Sequence, residues 1–185
     1  GWHGVTTVVV GNCGVGFAPA RRDQHQMLIE LMEGVEDIPG VALNEGLSWE
    51  WESFPDYLDF LSKRQFDMDI GAQLPHAALR VYVMGQRGAD REPATAEDVV
   101  EMRRLTEQAI RAGALGFTSS RTLNHRSLRG EPTPTLQAEY DELVGMASAL
   151  HSSGRGVMEM ISDFDDLDEE FSRLESMGRS AGRPM

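Results

Sequence analysis

The sequence predicts an α/β chain built on a parallel sheet, and three observations carry that expectation. Strand-like and helix-like segments alternate along most of the 185 residues. Such alternation implies parallel strands joined by right-handed crossovers. The first segment, Val5 to Gly11 (VTTVVVG), is β-branched and almost continuously apolar, as a strand covered on both faces must be. The helical segments end on turn residues and are followed at once by the next apolar run. Two architectures satisfy this pattern: an open doubly wound sheet, or part of a (β/α)8 barrel. A whole barrel takes about 250 residues, and at most four firm βα units can be counted, so about half a barrel is the most these residues supply.

Each element has its own signal. From Arg22 to Glu36, Leu28, Leu31, Met32 and Val35 recur at i, i+3, i+4 and i+7, one face of a helix. A loop rich in Gly, Pro, Trp and Glu runs from Asp37 to Glu52. A helix over Phe54–Arg64 follows, with Leu58 and Leu61 inward. Met68–Leu74 is the next strand, and Leu79–Met84 (LRVYVM) another short apolar run. Thr95 opens a helix as its N-cap, with Glu97 and Asp98 in the first turn, where the dipole favours negative charge. Gly113 takes the left-handed position that stops it. Ala114–Ser119 (ALGFTS) is a strand, Ser120–Pro134 a long polar loop, and Thr135 caps a helix that ends at Gly154. Gly156–Ile161 (GVMEMI) is a strand and Leu167–Met177 the final helix.

Composition narrows the function classes. Hydrophobic residues make up 41% and charged residues 25%, ordinary for a globular chain. Seventeen Lys+Arg against 30 Asp+Glu give −13, a field that repels phosphate backbones, and no basic patch offsets it, so nucleic acid is excluded as a partner. No apolar run approaches the roughly 20 residues of a membrane-spanning helix. The single cysteine forbids an internal disulfide and fits a reducing, cytoplasmic location. The chain opens without a Met and reads as an internal fragment. One domain is the expectation.

In both architectures chemistry sits just beyond the C-terminal ends of the strands. That rule selects Asn12-Cys13-Gly14, flanked by Gly11 and Gly16, which let backbone or ligand approach closely. A thiolate there is a Zn²⁺ ligand type, and a buried apolar cysteine is the plain alternative. The run Gly14-Val-Gly16-Phe-Ala-Pro19 breaks the dinucleotide fingerprint, because proline replaces the third glycine. That counts against a nucleotide-binding domain. His76, after the second main strand, is either a structural histidine or a substrate contact. Ser119 and Arg121 follow the next strand, where hydroxyl and guanidinium suit a carboxylate. Glu159 shares a strand face with Val157 and Ile161, opposite Met158 and Met160. If that face is interior, its carboxylate needs a partner or a metal.

These residues resemble a known family. Gly4-VTTVVVGNCG-Val15, ending in Phe17-Ala-Pro19, resembles the second barrel strand of D-aminoacylases and their relatives in the amidohydrolase superfamily. His76-AALR, Arg91-EPATAEDV and Ala112-GALGFTSS agree in order and spacing. The resemblance implies roughly strands two to five of a (β/α)8 barrel, with a β-sandwich domain and the remaining strands outside these residues. It implies one or two zinc ions with Cys13 as a ligand, and hydrolysis of a carbon–nitrogen amide bond, typically of an N-acyl-D-amino acid. The family's His-x-His motif would precede Gly1, and its catalytic aspartate would follow Met185. GVMEMISDF lacks the histidine expected on the fifth strand, and Glu159 is the candidate replacement. A cyclic-amide hydrolase of hydantoinase or dihydroorotase type, and a non-catalytic relative, remain the alternatives. The isolated 185-residue chain is expected to be inactive.

Overall fold

The computed structural model describes residues 1–185. The strands are β1 (Thr7–Val10), β2 (Asp69–Ala72), β3 (Leu74–Pro75), β4 (Gly116–Arg121) and β5 (Val157–Ser162). The helices are α1 (His25–Glu36), α2 (Gly40–Gly46), α3 (Phe54–Ser62), α4 (His76–Met84), α5 (Gln86–Ala89), α6 (Ala96–Ala112), α7 (Tyr140–Ser153) and α8 (Leu167–Ala181). All strand pairs are parallel: β1 with β2, β3 with β4, and β4 with β5. The expected strand Met68–Leu74 is divided at Gln73. Its first half pairs with β1 and its second with β4. The Leu115 N–H also reaches the Ala72 carbonyl at 2.9 Å, so both halves occupy one place in a layer whose spatial order follows the chain.

Helices cover one face of this layer. Ala72, Leu74, Phe117 and Met158 point into a core of 19 buried residues, where Phe54, Met102, Leu143 and Met177 meet them from the helices. The other face carries Gly71, Gln73, Thr118 and Glu159. There Val157 and Ile161 are 37% and 36% exposed, which leaves that face open, unlike the doubly covered sheets typical of parallel strands.

Three expectations change. Leu79–Met84, a short apolar run in the sequence, is helix: α4 is buried on nearly every side, so its residues show no single apolar stripe against a solvent face. Thr135 does not start a helix. Its hydroxyl donates to the Ser120 carbonyl at 2.7 Å, tying the loop to β4, and α7 begins at Tyr140. The loop after Asp37 contains α2. The α6 signals behave as expected: Thr95 Oγ1 accepts from the Asp98 N–H at 3.2 Å, and Asp98 accepts in turn from the Thr95 N–H at 2.9 Å. This is a reciprocal capping box.

The polar loop after β4 folds back over α1. The Leu128 N–H reaches the Glu30 carbonyl at 2.9 Å, and Arg129 pairs with Glu30 at 2.9 Å. Gly34 makes the approach possible, since a Cβ there would lie 2.2 Å from the Arg126 carbonyl oxygen.

Candidate functional site

The turn after β1 stands where neighbouring strands end. Gly11 (φ 89°) and Gly14 (φ 78°) are both left-handed, a region that costs other residues. A Cβ on Gly14 would lie 2.7 to 2.8 Å from the backbone of Ser119 and Ser120, so the turn lies directly against β4. The Gly14 N–H donates to Thr118 Oγ1 at 3.0 Å, and that hydroxyl donates to the Gly11 carbonyl. The Ala77 N–H donates to the Gly14 carbonyl at 3.0 Å.

The thiol itself turns away from this mouth. Cys13 packs with Val15, Leu31 and Ala77 beneath α1, and Sγ lies 3.5 Å from Glu36 Oε1. Burial first, and then the Glu36 charge and hydrogen bond, push its pKa above 9.0. The protonated thiol is therefore favoured, whereas a metal requires the thiolate.

Glu159 lies beside Thr118 in register, on the face away from the core, and accepts from Gln73 Nε2 at 2.7 Å. Gln73 Oε1 is buried without a partner. No three His, Cys, Asp or Glu side chains converge in this structure. Cys13 and Glu159 are each held by a protein partner, so the residues present do not by themselves fit a metal centre.

His76 and Ser119 come together, but fully buried. His76 Nδ1 is 2.9 Å from Ser119 Oγ, and Nε2 is 2.7 Å from Glu142 Oε1. Arg80 Nη1 spans both Glu142 oxygens at 2.8 and 2.6 Å, and Nη2 donates to the Glu92 carbonyl. Burial raises the Glu142 carboxyl pKa, but hydrogen bonds from His76 and Arg80 and the Arg80 charge outweigh it and hold the group below its ordinary 4.5. The sequence reading missed Glu142 and Arg80. A signal existed: Glu142 shares an i, i+4, i+7 stripe with Met146 and Ala149, all buried.

Arg121 lies elsewhere, at the end of β4. Its Nη1 donates to the Ala138 carbonyl at 2.7 Å, and its Nε lies 3.6 Å from Glu170. Burial lowers its pKa. Asp163, at the end of β5, accepts the Leu123 N–H at 2.7 Å and the Thr122 hydroxyl, which pins the start of the β4 loop. Beside the Cys13 turn, a cavity of about 270 Å³ is lined by Val10, Val15, Met32, Phe54 and Gln73 among others. A larger hollow of about 850 Å³, between Leu58, Gln65 and Asp69, opens near the start of β2, remote from the strand ends.

A family model described as the amidohydrolase family matches residues 1–185. The D-aminoacylase of Alcaligenes xylosoxydans xylosoxydans is 30% identical over 152 residues, 82% of this chain and 27% of that protein. The N-acyl-D-aspartate deacylase of the same organism is 29% identical over 151 residues, with the same coverage. Among solved structures, D-aminoacylase, described with a binuclear metal centre, superposes with a TM-score of 0.69 at 26% identity, over 98% of this chain and 34% of that one. The N-acyl-D-glutamate deacylase of Bordetella bronchiseptica, complexed with zinc and a phosphonate inhibitor, gives 0.69 at 26% identity, over 97% and 33%. The chain spans about a third or less of these relatives' lengths. With the whole of its length matched, the chain belongs to the amidohydrolase family.

Proposed function

We propose that these residues form roughly strands two to five of a (β/α)8 barrel, one partial catalytic domain of a metal-dependent amide hydrolase. The observation that carries the reading is the glycine-bounded Cys13 turn, set against the end of β4 in a parallel layer whose order never reverses. A doubly wound sheet reverses its strand order at a switch point, and this layer does not.

The proposed substrate is a small N-acyl-D-amino acid, the class that the relatives' names carry. The proposed metal is zinc. Cys13 and Glu159 are this chain's proposed donors, but Cys13 would have to turn from Glu36 and Glu159 to leave Gln73 to reach it, and the remaining donors would come from outside these residues. Arg121 is the proposed contact for the substrate carboxylate, because it keeps part of its surface. His76 and Ser119 have none and would act from beneath. No helix is long and apolar enough to cross a membrane. We place the protein in the cytoplasm, on its single cysteine.

The second reading, a non-catalytic relative, draws support from the Cys13 thiol held by Glu36 and from Glu159 held by Gln73. Assays on a protein of the relatives' full length that carries these residues separate the possibilities. Hydrolysis of N-acetyl-D-amino acids over their L forms, abolished by chelation, is expected. Turnover of hydantoins or dihydroorotate instead would favour the cyclic-amide alternative. A metal-free, inert protein would favour the non-catalytic one. The 185-residue chain alone is expected to turn over none of them.

A further inference from the structure

The Cys13 turn is enclosed by a closed circuit of hydrogen bonds whose last link is His76. Two short segments hold the turn: Thr118 Oγ1 accepts the Gly14 N–H at 3.0 Å, and the Ala77 N–H donates to the Gly14 carbonyl at 3.0 Å. Their immediate neighbours, Ser119 and His76, meet each other at 2.9 Å. The start of α4 and the end of β4 are thus tied together on the side of the turn where the chain is most crowded.

We propose that His76 is a positioning residue, fixed as the neutral Nε2–H tautomer, which locks α4 to β4 and so holds the Gly11–Gly14 turn in one conformation. The donor order follows from its partners. Glu142, paired through both oxygens with Arg80, is a pure acceptor at Nε2, so that nitrogen carries the proton. Nδ1 is left as an acceptor, and the Ser119 hydroxyl must donate to it. Arg80 and Glu142 then cancel each other's charge. A doubly protonated ring would add an unbalanced charge where all four side chains are at most 1% exposed. The order hydroxyl, imidazole, carboxylate is that of a nucleophile relay. Here it is sealed from any substrate, so it orients the backbone rather than attacking.

The inference rests on reading the turn as the working end of the sheet. A failure of that reading would appear in metal content and turnover. The tests below require neither, so the two failures are distinguishable.

Long-range ¹H–¹⁵N correlation of the five histidines in the 185-residue chain, with His76 assigned by its loss in His76→Gln, is expected to show the Nε2–H pattern. An Nδ1–H pattern would overturn the proposal; if His76→Gln fails to fold, through-bond backbone-to-ring correlation in the unaltered chain supplies the assignment and the measurement stands. The second readout is modification of Cys13 by a disulfide reagent under native conditions. Ser119→Ala and His76→Gln are expected to react about tenfold faster than the unaltered chain, the effect of losing one hydrogen bond that restrains local opening. That acceleration should exceed what each variant's urea-measured global stability allows. Rates that only track global unfolding would show a general structural role and overturn the positioning claim.

Discussion

Replacing Glu142 with alanine is expected to destabilise the fold by about 3–5 kcal/mol, the cost of removing one partner from a buried ion pair. The Arg80 side chain is 1% exposed, and without the carboxylate its charge has only the Glu92 carbonyl. Its Nε already lacks a partner. His76 would lose its acceptor at Nε2 in the same step. Against total stabilities of about 5–15 kcal/mol for a domain, urea unfolding should show much or all of the cooperative transition lost. Glu142→Gln should be milder, because an amide oxygen still accepts. The same carboxyl predicts acid sensitivity. Its folded pKa lies below the 4.5 it has when unfolded, so its contribution is complete above about 4.5 and is lost as pH falls through the folded value. In Glu142→Gln that part of the acid dependence should be absent. If Glu142→Ala unfolds within about 0.5 kcal/mol of the unaltered chain, an ordinary surface effect, the network is not what holds α4 to α7.

Gly14→Ala is the second large effect. Alanine at φ 78° costs about 1–2 kcal/mol for the left-handed backbone. The new methyl, 2.7 to 2.8 Å from three backbone atoms of Ser119 and Ser120, adds about 1–3 kcal/mol of overpacking. Neither the turn nor β4 can yield without breaking the Thr118 bonds. Gly130→Ala is the internal control: its φ is 80°, and nothing lies within 4 Å of the added Cβ. Denaturant unfolding should therefore show Gly130→Ala losing only the backbone part. Equal losses in the two variants would mean that the turn is not pressed against β4.

Local chemistry was legible in the sequence, and distant pairing was not. The α6 boundaries followed from Thr95, Asp98 and Gly113 because a cap is settled within one turn of chain. The alternation of β5 was legible because Met158 and Glu159 must point apart. The place of the Cys13 turn followed from glycines after an apolar strand. The direction of the thiol did not, since it is set by Leu31 and Glu36 on a helix about two dozen residues away. In the sequence Glu142 lies inside a helix read as opening at Thr135, whereas in the structure it stands in the first turn of α7, where acid suits the dipole. Its real partners, His76 and Arg80, are more than sixty residues distant. The α4 helix escaped for a related reason: it is buried on nearly every side, and its polar residues His76 and Arg80 face the distant Glu142 rather than solvent.

Activity of Cys13→Ala in a protein of the relatives' full length is the measurement closest to the central claim, that this turn is the working end of an amidohydrolase sheet. With far-UV circular dichroism unchanged, hydrolysis of the N-acyl-D-amino acid should fall by at least about 100-fold, the upper end of losses seen when groups that only support a metal ligand are removed. A Cys13→Ala variant as active as the unaltered protein would contradict it.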